Sequence, residues 1–494
     1  MEGIIYLLNT LINYLTNPSI LFNCAWATLL GIIIGALPGL TATMGIALLT
    51  GLTFGFPSEL AIVMLVCIYV SAIYGGSRSA ILINIPGTPA NAATTLDGYP
   101  LARSGRAGEA LTTATIASAI GSFIGVLSIF IFAPLLGQIA LKFGSWEFAW
   151  LAIFGITICG TLTAPKDPLK GWIAGFLGLL LAQIGMEPIG AYPRYSFGFL
   201  QLMGGIALIP VLVGVYGIPE ILTSMKEYGK REIIHEIKGR SIPNISILIK
   251  NWVNIIRSGL ISVLIGVIPG VGEDVAAWVS YDLAKRASKE KDKFGKGSIE
   301  GLIAAETGNN ACVGGAIIPV LTLAVPGSAP AAVLLAAMWL HGLRPGPLLP
   351  IENPMFIYKT AAMMLFATIL MTIFGLLLTR LFLKILTIDN AILMPIIFVL
   401  CVLGVYAINV RIFDIFVMLI FGIIGYFMRI MEYPAAPFVL GFILGPMADE
   451  NIRRALIITK GDITPFFTRP ICIVLIVLTL LSALVRYRPK VKEG

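Results

Sequence analysis

Thirteen apolar runs follow one another along the chain, and Pro-Gly pairs close several of them abruptly. The runs lie near residues 20–37, 58–74, 110–137, 146–163, 169–185 and 198–218, then near 253–268, 299–325, 355–386, 390–408, 411–429, 435–447 and 468–486. A helix needs about 20 apolar residues to cross a hydrocarbon layer of roughly 30 Å, so these runs read as membrane spans. Composition agrees, with 57% hydrophobic and 12% charged residues, against roughly 45–50% and 25% in soluble domains. That balance excludes a soluble enzyme, a disordered chain and an extracellular module. The expected fold class is an all-α polytopic membrane protein.

Several runs are too short, or too interrupted by Gly and Pro, for a plain span. Unpaired backbone in hydrocarbon is costly, so broken helices survive only inside protein or beside a water-filled cavity. The breaks, arranged as re-entrant hairpins, are therefore where function is to be sought. The six cysteines stand singly in apolar runs, and the two histidines, His235 and His341, are too few for a His-based metal centre. The net charge of +8 reads as cytoplasmic loops collecting Lys and Arg, not as nucleic-acid binding. Met1-Glu-Gly-Ile-Ile lacks the features of a signal peptide and is expected to be retained.

The chain repeats itself. Gly35-Ala-Leu-Pro38-Gly39 returns as Gly266-Val-Ile-Pro269-Gly270, and Ile85-Pro86-Gly87-Thr88 returns as Val325-Pro326-Gly327-Ser328. Met186-Glu187-Pro188 is echoed by Met431-Glu432-Tyr433-Pro434, and Pro219-Glu220 by Asp449-Glu450, giving offsets of 231, 240, 246 and 230 residues in the same order. The organisation expected is a first membrane repeat at 1–225, a basic cytoplasmic linker at 226–250, a second repeat at 251–465, and a final transmembrane helix with a basic tail at 466–494. The basic linker and the tail (Arg486, Arg488, Lys490 and Lys492) read as cytoplasmic. One span separates the tail from the loop after Glu450, which favours inverted repeats, although Arg453, Arg454 and Lys460 pull the other way. Duplicated halves with broken helices mark secondary transporters, whose sites lie near the midplane.

In Asn84-Ile-Pro86-Gly87-Thr88-Pro89-Ala-Asn91, Pro86-Gly87 stops a helix, Thr88 suits an N-cap and Pro89 suits the first helical position. The exposed amides of a helix start, with the positive end of its dipole, bind anions without Lys or Arg. Pro326, Gly327 and Ser328 repeat the device, so Pro86, Gly87, Thr88, Pro89, Asn91, Pro326, Gly327 and Ser328 are candidate substrate-binding residues. Ordinary loops between spans are the plainer reading. A second pair of breaks follows Pro38-Gly39 and Pro269-Gly270. There Thr41, also a substrate candidate, and Asp274 are plausible caps, while Glu273 and Asp274 lie either in a functional site or at the membrane surface. Asn84, Asn309, Asn310, Glu306 and Asp274 are candidate cation ligands, with a possible sodium ion at Asn84, Asn309 and Asn310, or else Asn side chains bonding helix to helix. Arg78 is the first basic residue of the chain. It reads as a loop arginine facing water, or alternatively as a direct substrate contact. Gly31 with Gly35, Gly121 with Gly125, and Gly441 with Gly445 read as tight helix packing.

No protease or hydrolase motif fits: Gly272-Glu273-Asp274 and Tyr281-Asp282 have the wrong order and spacing for an intramembrane aspartyl protease. The chain is not expected to be an enzyme. Gly75-Gly-Ser, Asn84-Ile-Pro-Gly-Thr-Pro, Asp97-Gly-Tyr-Pro-Leu-Ala and Gly105-Arg-Ala-Gly108 resemble the first signature of the large membrane subunit of tripartite tricarboxylate transporters. Pro269-Gly-Val-Gly272, Phe294-Gly-Lys-Gly297, Glu306 with Asn309-Asn310, Pro326-Gly-Ser and Gly342-Leu-Arg-Pro-Gly-Pro resemble its second. The resemblance covers about residues 20–460, and the stretch at Gly272-Glu273-Asp274 is more acidic than the family pattern. It implies cation-driven uptake of small di- or tricarboxylates across the cytoplasmic (inner) membrane. A small four-span membrane subunit and a periplasmic solute-binding protein would be the partners, and a sodium ion or proton the coupling ion, with no other cofactor. A gated anion channel and a stand-alone carboxylate transporter are the competing readings.

Overall fold

The computed structural model describes residues 2–164, 166–226, 245–378 and 390–484. Residues 227–244 of the expected basic linker, and the basic tail with Arg486, Arg488, Lys490 and Lys492, lie outside the described residues. The described residues are mostly helical, which matches the expected all-α class. Among the described residues eight helical stretches are long and apolar enough to cross a membrane.

The first half runs through α1 (Glu2–Thr16), α2 (Pro18–Ala36), α3 (Ala42–Thr53), α4 (Ser58–Ile83), α5 (Ala92–Leu101), α6 (Ala107–Ala140), α7 (Ser145–Thr163), α8 (Pro168–Leu181) and α9 (Leu208–Met225). The second half comprises α10 (Trp252–Val267), α11 (Gly272–Ala287), α12 (Ile299–Leu323), α13 (Ala329–Leu340), α14 (Phe356–Leu377), α15 (Asn390–Asn409), α16 (Ile412–Ile430), α17 (Ala435–Ile458) and α18 (Pro470–Leu484). The helices α3 and α13 have 12 residues each, about 18 Å at 1.5 Å per residue, too short to cross. Several elements depart from the apolar runs. The run at 198–218 begins its long helix only at Leu208, because a short hairpin (Gly185–Met186 with Pro193–Arg194) and a turn at Gly204 precede it. The amphipathic α1 and the shorter α3, α5, α11 and α13 fall outside the runs altogether.

The duplication is visible in backbone contacts. α4 and α12 both end on a left-handed residue, Asn84 (φ 57°) and Ala324 (φ 54°). Gly87 N–H then donates to the Gly76 carbonyl at 3.4 Å, and Gly327 N–H to the Ala316 carbonyl at 3.4 Å. A Cβ on Gly87 would lie 1.9 Å from the Gly35 oxygen, and one on Gly327 would lie 2.0 Å from the Gly266 oxygen. Both pairs keep the 231- and 240-residue offsets. The later echoes are looser: Met186 lies in the hairpin, whereas Met431 and Glu432 form the turn after α16.

The halves interlock. α6 packs along α12, and α14 packs along α4 and α6. Small residues allow the approach: a Cβ on Gly121 would lie 2.3 Å from the Thr307 oxygen, and one on Gly314 2.4 Å from Gly125 Cα. α7, α8, α17 and α18 form a flanking group, in which Gly441 meets the Gly175 oxygen. The glycine pairs thus serve helix crossing, as expected.

Asp97 ties the signatures of both halves together. Its Oδ1 accepts from the amides of Gly295 (2.8 Å), Gly297 (2.9 Å) and Ser298 (2.7 Å), and its Oδ2 accepts from the Tyr281 hydroxyl at 2.9 Å. Because overpacking against backbone costs about 1–3 kcal/mol, Gly87→Ala and Gly327→Ala are both expected to lower the unfolding temperature in detergent. Gly55→Ala, with nothing within 4 Å of its Cβ, is expected to leave it unchanged. Wild-type stability in both repeat variants would contradict the shared close approach.

Candidate functional site

Four helix starts converge. α3 begins after Thr41, whose Oγ1 accepts from Met44 N–H at 3.2 Å. α13 begins after Ser328, whose Oγ accepts from Ala331 N–H at 3.3 Å, with Pro330 in its first turn. α11 begins at Gly272 after a turn in which Gly270 takes φ +71°, a conformation that glycine adopts without strain. The fourth start departs from expectation. Thr88 precedes a 3₁₀ turn (Pro89–Asn91) that leads into α5, and its hydroxyl donates to Asn91 Oδ1 at 2.6 Å instead of capping an amide. Asp274 caps nothing either; it lies in the first turn of α11.

All four starts line one cavity of about 100 Å³, through Thr41, Thr88, Pro89, Gly272, Glu273, Asp274, Ala329 and Pro330, with Tyr216 from α9 beside them. Pro86 and Gly87 shape the first break from behind. In the second, the Pro326 carbonyl accepts from Gly270 N–H (3.1 Å) and the Gly327 carbonyl from Gly272 N–H (3.0 Å), locking the α10–α11 break to the α12–α13 break. A polar chain then runs from Ser328 into the acidic pair. The Ser328 hydroxyl lies 2.6 Å from the Tyr69 hydroxyl, which donates to Glu273. Glu273 is 2% exposed, whereas Asp274 is exposed toward the cavity.

The other cation candidates split. Glu306 is buried, accepting from Thr94 (2.5 Å), Ser118 (2.7 Å) and Asn91 (3.4 Å). Asn310 donates to Asn309 Oδ1 at 2.7 Å, and Ser122 donates to Asn310 Oδ1 at 3.3 Å. Glu306, Asn309 and Asn310 therefore lie together, joined to Thr88 through Asn91. Asn84 is not with them: it is the exposed left-handed residue at the end of α4. The expected sodium set of Asn84, Asn309 and Asn310 is thus not one site. Hydroxyl and amide donors already surround Glu306, an arrangement that suits a buried carboxylate better than a cation. Among the described residues no group of three or more His, Cys, Asp or Glu is placed to hold a metal ion.

The sequence missed Tyr69 and Tyr216. Tyr69 stands at the 240-residue counterpart of Asn309, so the repeat itself held that signal. Nothing in the local sequence singles out Tyr216. Arg78 does not face water as a loop arginine would. It is 1% exposed, donates to the Gly375 carbonyl (2.6 Å) and to Thr115 (3.0 Å), and lies 5.0 Å from the Tyr74 ring. A cation near the last carbonyls of α14 is a helix-end contact. Arg78→Gln is expected to destabilise the folded protein by about 1–3 kcal/mol, seen as a lowered unfolding temperature. Equal unfolding temperatures for Arg78→Gln and wild type would refute the structural role.

Residues 21–440 match the Tripartite tricarboxylate transporter TctA family. The chain is 36% identical over 474 residues to an uncharacterised 52.8 kDa protein in the TAR-I ttuC′ 3′ region of Agrobacterium vitis, covering 95% of this chain and 93% of that protein. It is 37% identical over 230 residues to an uncharacterised protein in the TAR-II ttuC′ 3′ region of the same organism, covering 47% of this chain and 95% of that protein. No solved structure matches. The family points to a transporter rather than an enzyme. The chain is a multi-pass membrane protein that belongs to the TctA family of tripartite tricarboxylate transporters.

Proposed function

We propose that the chain carries small di- or tricarboxylates inward across the cytoplasmic membrane, driven by a sodium or proton gradient. It would act as the large subunit beside a small four-span subunit and an extracytoplasmic binding protein. The observation that carries this reading is the convergence of four helix starts, two from each half, on a cavity that also holds an acidic pair. We take the repeats to be inverted, so that rocking of one half against the other opens the cavity to each side in turn.

Charge arithmetic supports the coupling. Each α-helix start presents about half a positive charge, so the starts of α3, α11 and α13 present about +1.5, and the amides of the Thr88 turn add to that in offsetting a dicarboxylate. Glu273 and Asp274, when ionised, cancel that attraction. A carboxylate substrate then binds well only if a cation neutralises the pair, either a sodium ion at Asp274 or protons on the carboxyls. Substrate and cation therefore stabilise each other's binding, which is the thermodynamic content of coupling. Sodium suits the oxygen ligands of Asp274 and the freed backbone carbonyls beside it. The cavity of about 100 Å³ lies below the roughly 300–1,000 Å³ of ordinary small-molecule sites. That space takes one carboxylate group and not a whole tricarboxylate, so transport needs a wider state.

Asp274→Asn tests the reading in proteoliposomes loaded with a cation gradient. Uptake is expected to lose its stimulation by the gradient while equilibrium exchange of carboxylate persists. Stimulation equal to wild type would remove Asp274 from the coupling mechanism.

A further inference from the structure

The helix-start cavity does not end at its own walls. Tyr216, Gly270, Ala329 and Ala436 are shared with a constriction of about 10 Å³. Apart from Ser328, its remaining wall is apolar, chiefly Val439, Leu440 and Ile443 of α17. A space of 10–15 Å³ is roughly what one water molecule needs, so this throat is too small for a carboxylate in the present state. Ile443 in turn borders a larger void of about 360 Å³, within the roughly 300–1,000 Å³ range of small-molecule sites.

The larger void faces a charged rim. Glu450, which lines it, pairs with Arg454 at 2.5 Å. Beside it, Asp449 accepts from Arg194 at 3.0 Å and from Arg453 at 2.9 Å. Such a cluster belongs at water, not in hydrocarbon. Between the throat residues and this rim, α17 contains Pro446. Proline removes one backbone hydrogen bond and weakens the helix locally, which marks a place where the two halves of α17 can bend relative to each other.

From this alignment we infer that the 360 Å³ void is the vestibule through which carboxylate reaches or leaves the helix-start cavity. Tyr216, Leu440 and Ile443 form its gate, closed in this state and opened by bending of α17 at Pro446. The unpartnered, buried hydroxyl of Tyr216 lies where the throat meets the cavity and supplies a donor to a carboxylate passing through. The inference rests on the helix-start cavity being the substrate site, and it assigns the route to that site.

Cysteine modification tests it in the full-length protein, in right-side-out cells and in inverted vesicles. All six native cysteines are buried, so an impermeant, negatively charged methanethiosulfonate is expected to leave wild-type uptake intact. Asn451 lines the vestibule and its side-chain amide bonds only one helical turn back, to Met447. In Asn451→Cys the reagent is expected to abolish citrate uptake from one membrane face, with saturating citrate slowing the reaction. Leu440→Cys, which lines the throat but not the vestibule, is expected to stay unreactive until substrate and cation gradient are both supplied. Lys142→Cys, exposed after α6, should be labelled without loss. Full labelling of Asn451→Cys with uptake unchanged, no labelling from either face, or Leu440→Cys equally reactive at rest and in turnover would overturn the route. If Asp274→Asn still uncouples transport in that event, the cavity stands and only the vestibule is wrong.

Discussion

A backbone amide or carbonyl left without a partner in hydrocarbon costs several kcal/mol, and this chain breaks its helices four times at depth. The breaks persist because each is completed by another. Gly270 and Gly272 donate to the carbonyls of Pro326 and Gly327, so the α10–α11 break and the α12–α13 break form one hydrogen-bonded unit. Gly87 and Gly327 lie so close to the carbonyls of Gly35 and Gly266 that no side chain fits. Once these contacts bring the breaks together, the amides at four helix starts have one direction left open, into the shared cavity. In the proposed function, anion affinity follows from how the breaks are packed, without an arginine.

The two halves share this scaffold and differ in what they hang on it. At the positions of Glu273 and Asp274 the first half has Ala42 and Thr43, and at the position of Asn309 it has Tyr69. One half therefore supplies the acidic pair, and the other supplies the tyrosine that bonds to it. The interaction crosses between repeats and links α4 to the starts of α11 and α13. Any movement of one half against the other must rearrange that contact, which places the charged groups at the surface that moves. Glu306 belongs to a separate network that joins α5, α6 and α12, and it holds the halves together away from the acidic pair.

Much of this was legible in the sequence. Pro86-Gly87 and Pro326-Gly327 announced broken helices because proline and glycine stop helices by backbone geometry alone, and their regular offset announced a duplication. The convergence of the breaks was only half legible, since Thr88 was expected to cap an amide and instead bonds Asn91. Asn84 was grouped with Asn309 and Asn310 by residue type, but a left-handed helix terminus turns it to the surface. Arg78 shows the limit most clearly. Its partners lie 37 and 297 residues away, and no local pattern reports a helix end that distant. Tyr216 and the throat depend on how α9 and α17 pack, which hydrophobic periodicity does not encode.

The account stands or falls on whether cation and carboxylate bind as one event. Calorimetric titration of the purified protein with citrate, at fixed pH with sodium varied and then at fixed sodium with pH varied, measures this directly. Affinity should strengthen steeply with one of the two cations, and Asp274→Asn should bind citrate tightly without it. Citrate affinity independent of both sodium and pH would contradict the account.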